Sequence, residues 1–460
     1  MKYAVFTFDG YGLAIANRLR AEGRDVVVGQ VSDRALVCSE LEQNMAEEPE
    51  SEKERRLGPF DGVLPKVPAA ELVEKVRKHA DNWFVFSDLN HLFRVTEGLR
   101  ETGCPGIYPT EEDYLLEIDR ERAKDFVAEN YPSVKVGQKK GFSKAAQAKR
   151  FLKGSEEMWV LKGLAEDART VVPDVEDLDL AHGQVLDALG QHSEEYEGAG
   201  FILELLIPNA IELTPQKIYL DGNPVATCMC IENKPLGAGN VGPMTDCAQD
   251  LVFRTEMDDP INAIAFPPAV DEMAKQRQGL FYWDASLLIN PRTGGVFFGE
   301  FCANRVGYNC LYTEIALCGS ASGYFEALAQ GKDPYPIGSV AGSCRLFNLN
   351  RDGAGAPMAG GTVDYKPRVE EGLWLKDVRK QGRRLVSAGY CDAIGVITGA
   401  GNSVGEAAKR LYKRVDEFSF EGAFYRPHFD FVSREYRSSM INRLNYGLQR
   451  SFYKIGFGLD

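Results

Sequence analysis

The sequence predicts an α/β protein of about two to four domains, and three observations carry that reading. Residues 3–31 run strand, turn, helix, strand, which opens a doubly wound sheet. Short apolar runs with β-compatible residues recur at 158–162, 201–207, 285–289 and 296–298, with helical stretches between them. After residue 336 the strand runs become shorter and one amphipathic helix, 404–416, stands among them, giving a small strand-rich end.

In chain order, YAVFTF (3–8) reads as a buried strand, Asp9-Gly10-Tyr11-Gly12 as a turn, Leu13 to Ala21 as a helix and Asp25 to Val31 as a second strand. The turn has two glycines, with Ile15 where a dinucleotide fingerprint needs its third, so it reads as a tight turn. Residues 40–58 are acidic and read as an exposed helix or loop insertion. Val63-Leu64 and Trp83 to Phe86 read as short strands. Asp88 and Asn90 follow the second, where an open parallel sheet places substrate contacts; a helix cap by Ser87 or Asp88 is the alternative. Residues 1–115 form the first unit, 116–335 the second with a smaller part at 116–205, 336–432 the third and 433–460 a tail carrying Arg434, Arg437, Arg443 and Arg450.

The second unit starts on a charged helix from Asp119. MWVLK (158–162) is a strand ending on Lys162, whose ammonium could meet a phosphate or simply snorkel. FILELLI (201–207) holds Glu204 inside an apolar strand, where an acid needs a donor partner. A hairpin over 218–231 ends on Glu232-Asn233-Lys234, and GAGNVGPMTD reads as a flexible loop. FYWDASLLINPRTGGVFFGEFCANRVGYN (281–309) is then strand, turn, strand and polar loop. Glu300 at its exit, followed by Asn304 and Arg305, sets oxygen ligands beside a fixed cation, as magnesium on a polyphosphate requires; a hairpin with a polar end is the alternative.

The composition is that of a globular chain, with 460 residues, 44% apolar, 26% charged and a net charge of −14. That charge argues against a protein that grips nucleic acid with its whole surface. The ten cysteines contain no C-x-x-C and no zinc spacing, which suits reduced thiols. MKYAVFTFDGYG does not read as a signal peptide and no apolar stretch is long enough to span a membrane, so the expected location is the cytoplasm.

Five stretches resemble, in order, the ATP-grasp ligases, and among them the phosphoribosylamine–glycine ligases. They are Pro109-Thr110 to Lys124-Asp125-Phe126, WVLK (159–162), FILELLIPNAIEL (201–213), GEFCANR (299–305), and GRRLVSAGYCDAIGVITGAGNSVGEAAKRLY (382–412) with FEGAFYRPHFDF (420–431). The resemblance implies an ATP-grasp fold, α+β in its ATP-binding part, with a Rossmann-like amino-terminal domain. It implies a magnesium- and ATP-dependent ligase that makes an amide through an acylphosphate. The partners implied are ATP, a small carboxylic acid such as an amino acid, and an amine acceptor, with a nucleotide or a modified base among the candidates.

On that resemblance, Arg120 and Lys162 hold ATP phosphates. Glu204 with the backbone of Leu205 and Ile207 meets the adenine, and Glu212 the ribose. Lys234 approaches the γ-phosphate and Arg305 orients a carboxylate or acylphosphate oxygen. Glu300 and Asn304 coordinate magnesium, with Asp284 standing in for a carboxylate where this chain has Ser286. The chain departs from the family in its lid, where GLAEDARTVV (163–172) has one glycine, leaving Arg169 or Thr170 to substitute. An ATP-binding module without catalysis is the alternative that this departure raises.

Overall fold

The computed structural model describes residues 1–164, 170–173, 175, 177–207, 210–239, 241–290, 293–304, 306, 309–349 and 357–433. Its amino-terminal part is a parallel sheet. Lys2–Thr7 lies between Val26–Gln30 and Trp83–Ser87, with Tyr3 opposite Val26 and Phe84. Both faces are covered, as a parallel sheet requires. Tyr3, Val5, Phe84 and Phe86 pack on one side, where Phe86 stacks on Phe325 at 5.3 Å, and Ala4, Phe6 and Val85 pack with Leu72 and Val76 on the other. The outer strand is Lys66–Pro68, not Val63-Leu64, which lie in the turn before it.

The acidic stretch folds as two helices, Ser39–Glu47 and Glu50–Leu57. In the second, Arg56 is buried, with its Nε and Nη2 donating at 2.8 and 2.9 Å to Glu48, which follows the first. After the polar loop two further helices follow, Asn309–Cys318 and Ala321–Ala329. Gly319 takes φ +79° between them, and Ser320 caps the second through a bond to Gly323 N–H.

The parallel sheet continues into an antiparallel one, because Leu280 of Leu280–Ile289 pairs with Ile107. From there the order is Leu280–Ile289, Ile211–Leu220, Asn223–Gly237, Val241–Arg254, Val340–Asn348, Ala393–Gly401 and Leu373–Leu375. The sheet therefore runs on past residues 115 and 335, with Leu251 opposite Gly342. The expected flexible loop at 237–246 is instead the end of a long hairpin, with Gly237 opposite Val241 and Thr245 Oγ1 donating to Lys234 O at 2.6 Å.

A separate four-stranded sheet is ordered Lys139–Phe142, Phe201–Leu205, Trp159–Gly163 and Thr170–Val171. Its own core includes Trp159, Leu161, Val185, Leu189, Phe201 and Leu203, contributed partly by the helix Leu178–Gln191. The chain leaves this small sheet at Leu205 and enters the large one at Ile211. Glu204 and Glu212 thus stand on either side of one crossing. All ten cysteines are free, and no helix among the described residues is long and apolar enough to cross a membrane.

Candidate functional site

On the small sheet, Glu204 is opposite Val160, and Lys162 is two residues further along the same strand, so their side chains share a face. Lys162 Nζ donates to Glu204 Oε2, and Lys124 Nζ donates to Oε1 at 2.8 Å. Burial acts to raise the Glu204 carboxyl, but the Lys162 charge and the bonds from both lysines outweigh it and hold the carboxyl down at about 2. One anion between two cations leaves a net positive charge, and holds both ammonium groups in place.

Lys124 is the residue that the sequence reading passed over. Arg120, chosen there, is exposed at the first residue of the helix Arg120–Asn130, and Lys124 lies one turn further on the same face. The i, i+4 spacing was the available signal. The backbone of Leu205 is engaged in the sheet, since its N–H donates to Gln138 O at 2.8 Å. Ile207 follows the strand and its carbonyl accepts from Ala210 N–H at 3.2 Å. Thr170 sits opposite Lys162 in register, and Arg169 lies outside the described residues.

On the large sheet the balance reverses. Glu212 Oε1 accepts from Lys234 Nζ at 2.9 Å and from Ser286 Oγ at 2.6 Å. Ser286 is opposite Glu300, which lies 3.8 Å from Lys234. Gly299 permits this approach: a Cβ there would stand 2.7 Å from Ser286 Oγ. Burial would lower the Lys234 ammonium, but Glu212, Glu232 and Glu300 outweigh it and raise it well above its ordinary value. Burial raises Glu232 well above the carboxylate range, and Glu212, Asp250 and Asp284 add to that against the pull of Lys234.

Asp284 is buried two residues before Ser286, on the same face of the strand, and its charge reaches Glu232. Ligating atoms of Glu232, Cys247 and Asp250 also lie within 4.8 Å of one another. Asp250 is held by Cys247 Sγ, by Ser343 Oγ at 2.9 Å and by Thr313 Oγ1 at 3.4 Å. A carboxylate set with too few cations fits a hard divalent ion, and Glu300, 51% exposed, is its most open member. The thiol of Cys247 is a poor ligand for such an ion.

Asn304 does not join this set as a ligand. Its Oδ1 accepts from Tyr282 N–H and its Nδ2 donates to Asp113 Oδ2, both at 2.9 Å, in a buried residue at φ +52°. The amide is a bracket between the exit loop and the cap of the helix Glu111–Ile118. Asp88 and Asn90 lie elsewhere, at the carboxyl ends of the parallel strands. Asp88 Oδ2 accepts from Gly12 N–H at 3.0 Å and from Thr7 Oγ1. Asn90 Nδ2 donates to Glu117 at 2.6 Å and to Ala303 O at 3.1 Å. Arg305 and the tail from 434 lie outside the described residues.

A mixed sheet with a small antiparallel sheet set against it across one crossing is an arrangement with solved counterparts. The phosphoribosylamine–glycine ligase of Thermotoga maritima superposes with a TM-score of 0.61 at 17% identity, covering 93% of this chain and 99% of that one. The chain has the ATP-grasp fold. The biotin carboxylase of Campylobacter jejuni, solved as a β-γ-ATP complex, gives a TM-score of 0.55 at 14% identity over 98% of this chain and 96% of that one. The biotin carboxylase domain of Hydrogenobacter thermophilus 2-oxoglutarate carboxylase, solved with MgADP and bicarbonate, gives 0.55 at 13% over 100% and 99%. No protein-family model and no curated protein matches the sequence. In ATP-grasp terms, the Glu204 and Glu212 clusters stand on the two sheets of the grasp.

Proposed function

We propose that this chain is an ATP- and magnesium-dependent carbon–nitrogen ligase that activates a carboxylate as its acylphosphate and transfers the acyl group to an amine. The observation that carries this is the pair of clusters on either side of residues 205–211. One has a surplus of positive charge that suits phosphates, and the other has a surplus of carboxylate that suits a metal ion. Lys124 and Lys162, held by Glu204, take phosphate oxygens of the nucleotide. Lys234, kept charged by its acids, faces the phosphate that is transferred.

Glu300 and Glu212 would hold the magnesium, with Asp284 behind them, and the ion would supply charge neutralisation at the phosphates. An oxygen of the substrate carboxylate attacks the γ-phosphorus and the bond to the β-phosphate oxygen breaks, releasing ADP. The amine nitrogen then attacks the acyl carbon, the carbon–oxygen bond to phosphate breaks, and the nitrogen loses a proton as the amide forms. Lys234 stabilises charge in the first step, and no nucleophilic side chain is required. Arg305 is the proposed guide for the acyl oxygen, and the reaction is placed in the cytoplasm.

The test is ADP formation by the full chain with magnesium-ATP over a panel of amino acids and amines. ADP that appears only when an acid and an amine are both present, and disappears in Glu300→Gln, supports the ligase. Tight ATP binding without ADP in any combination would favour the non-catalytic module that the single-glycine lid stretch raises. Undiminished turnover in Glu300→Gln would remove the metal assignment.

A further inference from the structure

Outside the two clusters, the small sheet carries a run of charge at odds with the rest of the chain. Residues 135–154, KVGQKKGFSKAAQAKRFLKG, hold seven lysines and arginines and no acid. The whole chain has a net charge of −14, so the remainder carries −21 against this segment's +7. The run folds as Lys139–Phe142, an edge strand of the small sheet, and the helix Ala145–Leu152.

The helix buries Ala148 and Leu152 and leaves Lys149 and Arg150 exposed, with Lys153 exposed just past its end. Lys153 stands four and three residues on from the other two, so the three charges meet at the last turn. Lys140 Nζ lies 4.2 Å from the centre of the Phe151 ring, which joins the strand's charge to the helix's. Among the described residues, none of these four cations is paired with an acid, whereas Lys139 and Lys144 are held by Glu121 and Glu197.

Lysine on an edge strand keeps other strands from adding to it, which accounts for Lys139 and Lys140. It does not account for Lys149, Arg150 and Lys153. A solvated helix face ordinarily mixes its charges, and like charges one turn apart repel. Four gathered cations call for a ligand that repeats its negative charge. No large apolar side chain in residues 119–163 is exposed. A membrane-binding helix needs such side chains to insert, and a protein partner needs them as anchors. A polynucleotide needs only that its phosphates be met. A local surface of this kind is compatible with an acidic chain. The edge strand also starts at the first cluster, since Lys139 is opposite Glu204 and Gln138 O accepts from Leu205 N–H.

We infer that this strand and helix bind the phosphate backbone of a polynucleotide, DNA or RNA, without reading its sequence. The assignment does not rest on the ligase reading. Its test is fluorescence anisotropy of labelled single strands and duplexes of DNA and of RNA, titrated with the full chain over a series of salt concentrations. At least one form should bind, with log affinity falling against log salt at a slope of about −3 to −4, as four phosphate contacts require. The triple variant Lys149→Glu, Arg150→Glu, Lys153→Glu should weaken that binding at least about tenfold and bring the slope to about −1. The glutamine triple at the same positions should lie between the two, which keeps the test readable if charge reversal disturbs the helix. The form bound most tightly identifies the polymer. No salt-dependent binding to any of the four forms, equal affinity in the parent and both triples, or binding to phosphatidylserine vesicles in place of polynucleotides would overturn the inference.

Discussion

At Glu204 one carboxylate lies between two lysines, and at Lys234 one lysine lies among three carboxylates. Both are partly buried clusters of lysine and glutamate, yet they call for opposite ligands. The first pairs its carboxylate within the protein and keeps a surplus of positive charge, which would suit a phosphate. The second is short of positive charge, which the raised Glu232 carboxyl registers, and it is complete only with a cation. On the proposed reading a nucleotide with its metal ion would answer both at once, its phosphates meeting the lysines and the ion the acids.

The largest expected effect breaks the second cluster. Lys234→Met leaves buried carboxylates without their cation and should cost about 3–5 kcal/mol by chemical denaturation, with loss of ADP formation. Magnesium alone should restore part of that stability, and should do less for the parent. Glu204→Gln comes next and concerns the first cluster. Its folded carboxyl is held near 2 against an ordinary value of 4.5, so the stability it contributes is present above about pH 4.5 and is lost as pH falls toward 2. The depression corresponds to about 3 kcal/mol at neutral pH. The variant should show a flatter acid limb in a pH series of melts and weaker nucleotide binding.

Asn304→Ala sharpens the comparison by separating support from ligand. It strands Tyr282 N–H and removes a donor from Asp113 Oδ2, which should cost about 2–3 kcal/mol, while the magnesium concentration for half-maximal ADP formation stays as in the parent. The smallest effect belongs to Arg120→Ala. An exposed helix start should tolerate it within about 0.5 kcal/mol, and ATP affinity should fall much less than in Lys124→Ala.

Much of this comparison was legible in the residues. The βαβ opening, the strand ending on Lys162, the acid inside FILELLI and the hairpin ending on Glu300 all follow from local pattern, and each has its place in the fold. Less legible was which polar groups would be consumed by the protein itself. Asn304 looks like a ligand until Tyr282 and Asp113 are found on its amide, and they are 22 and 191 residues away in sequence. Lys124 was hidden for the opposite reason. It sits in a charged helix, and only the tertiary arrangement places it on Glu204. The two-glycine stretch reads as a tight turn, but nothing local shows that Gly12 lies against Asp88, where a Cβ would come within 3.0 Å.

The most direct test of the central claim is calorimetric titration of a non-hydrolysable ATP analogue into the parent and into Glu300→Gln, each with and without magnesium. Two clusters acting on one nucleotide predict that magnesium tightens binding at least about tenfold, or 1.4 kcal/mol, in the parent and far less in the variant, while magnesium-free affinity stays similar in both. Equal tightening in both proteins, or none in either, would contradict the account.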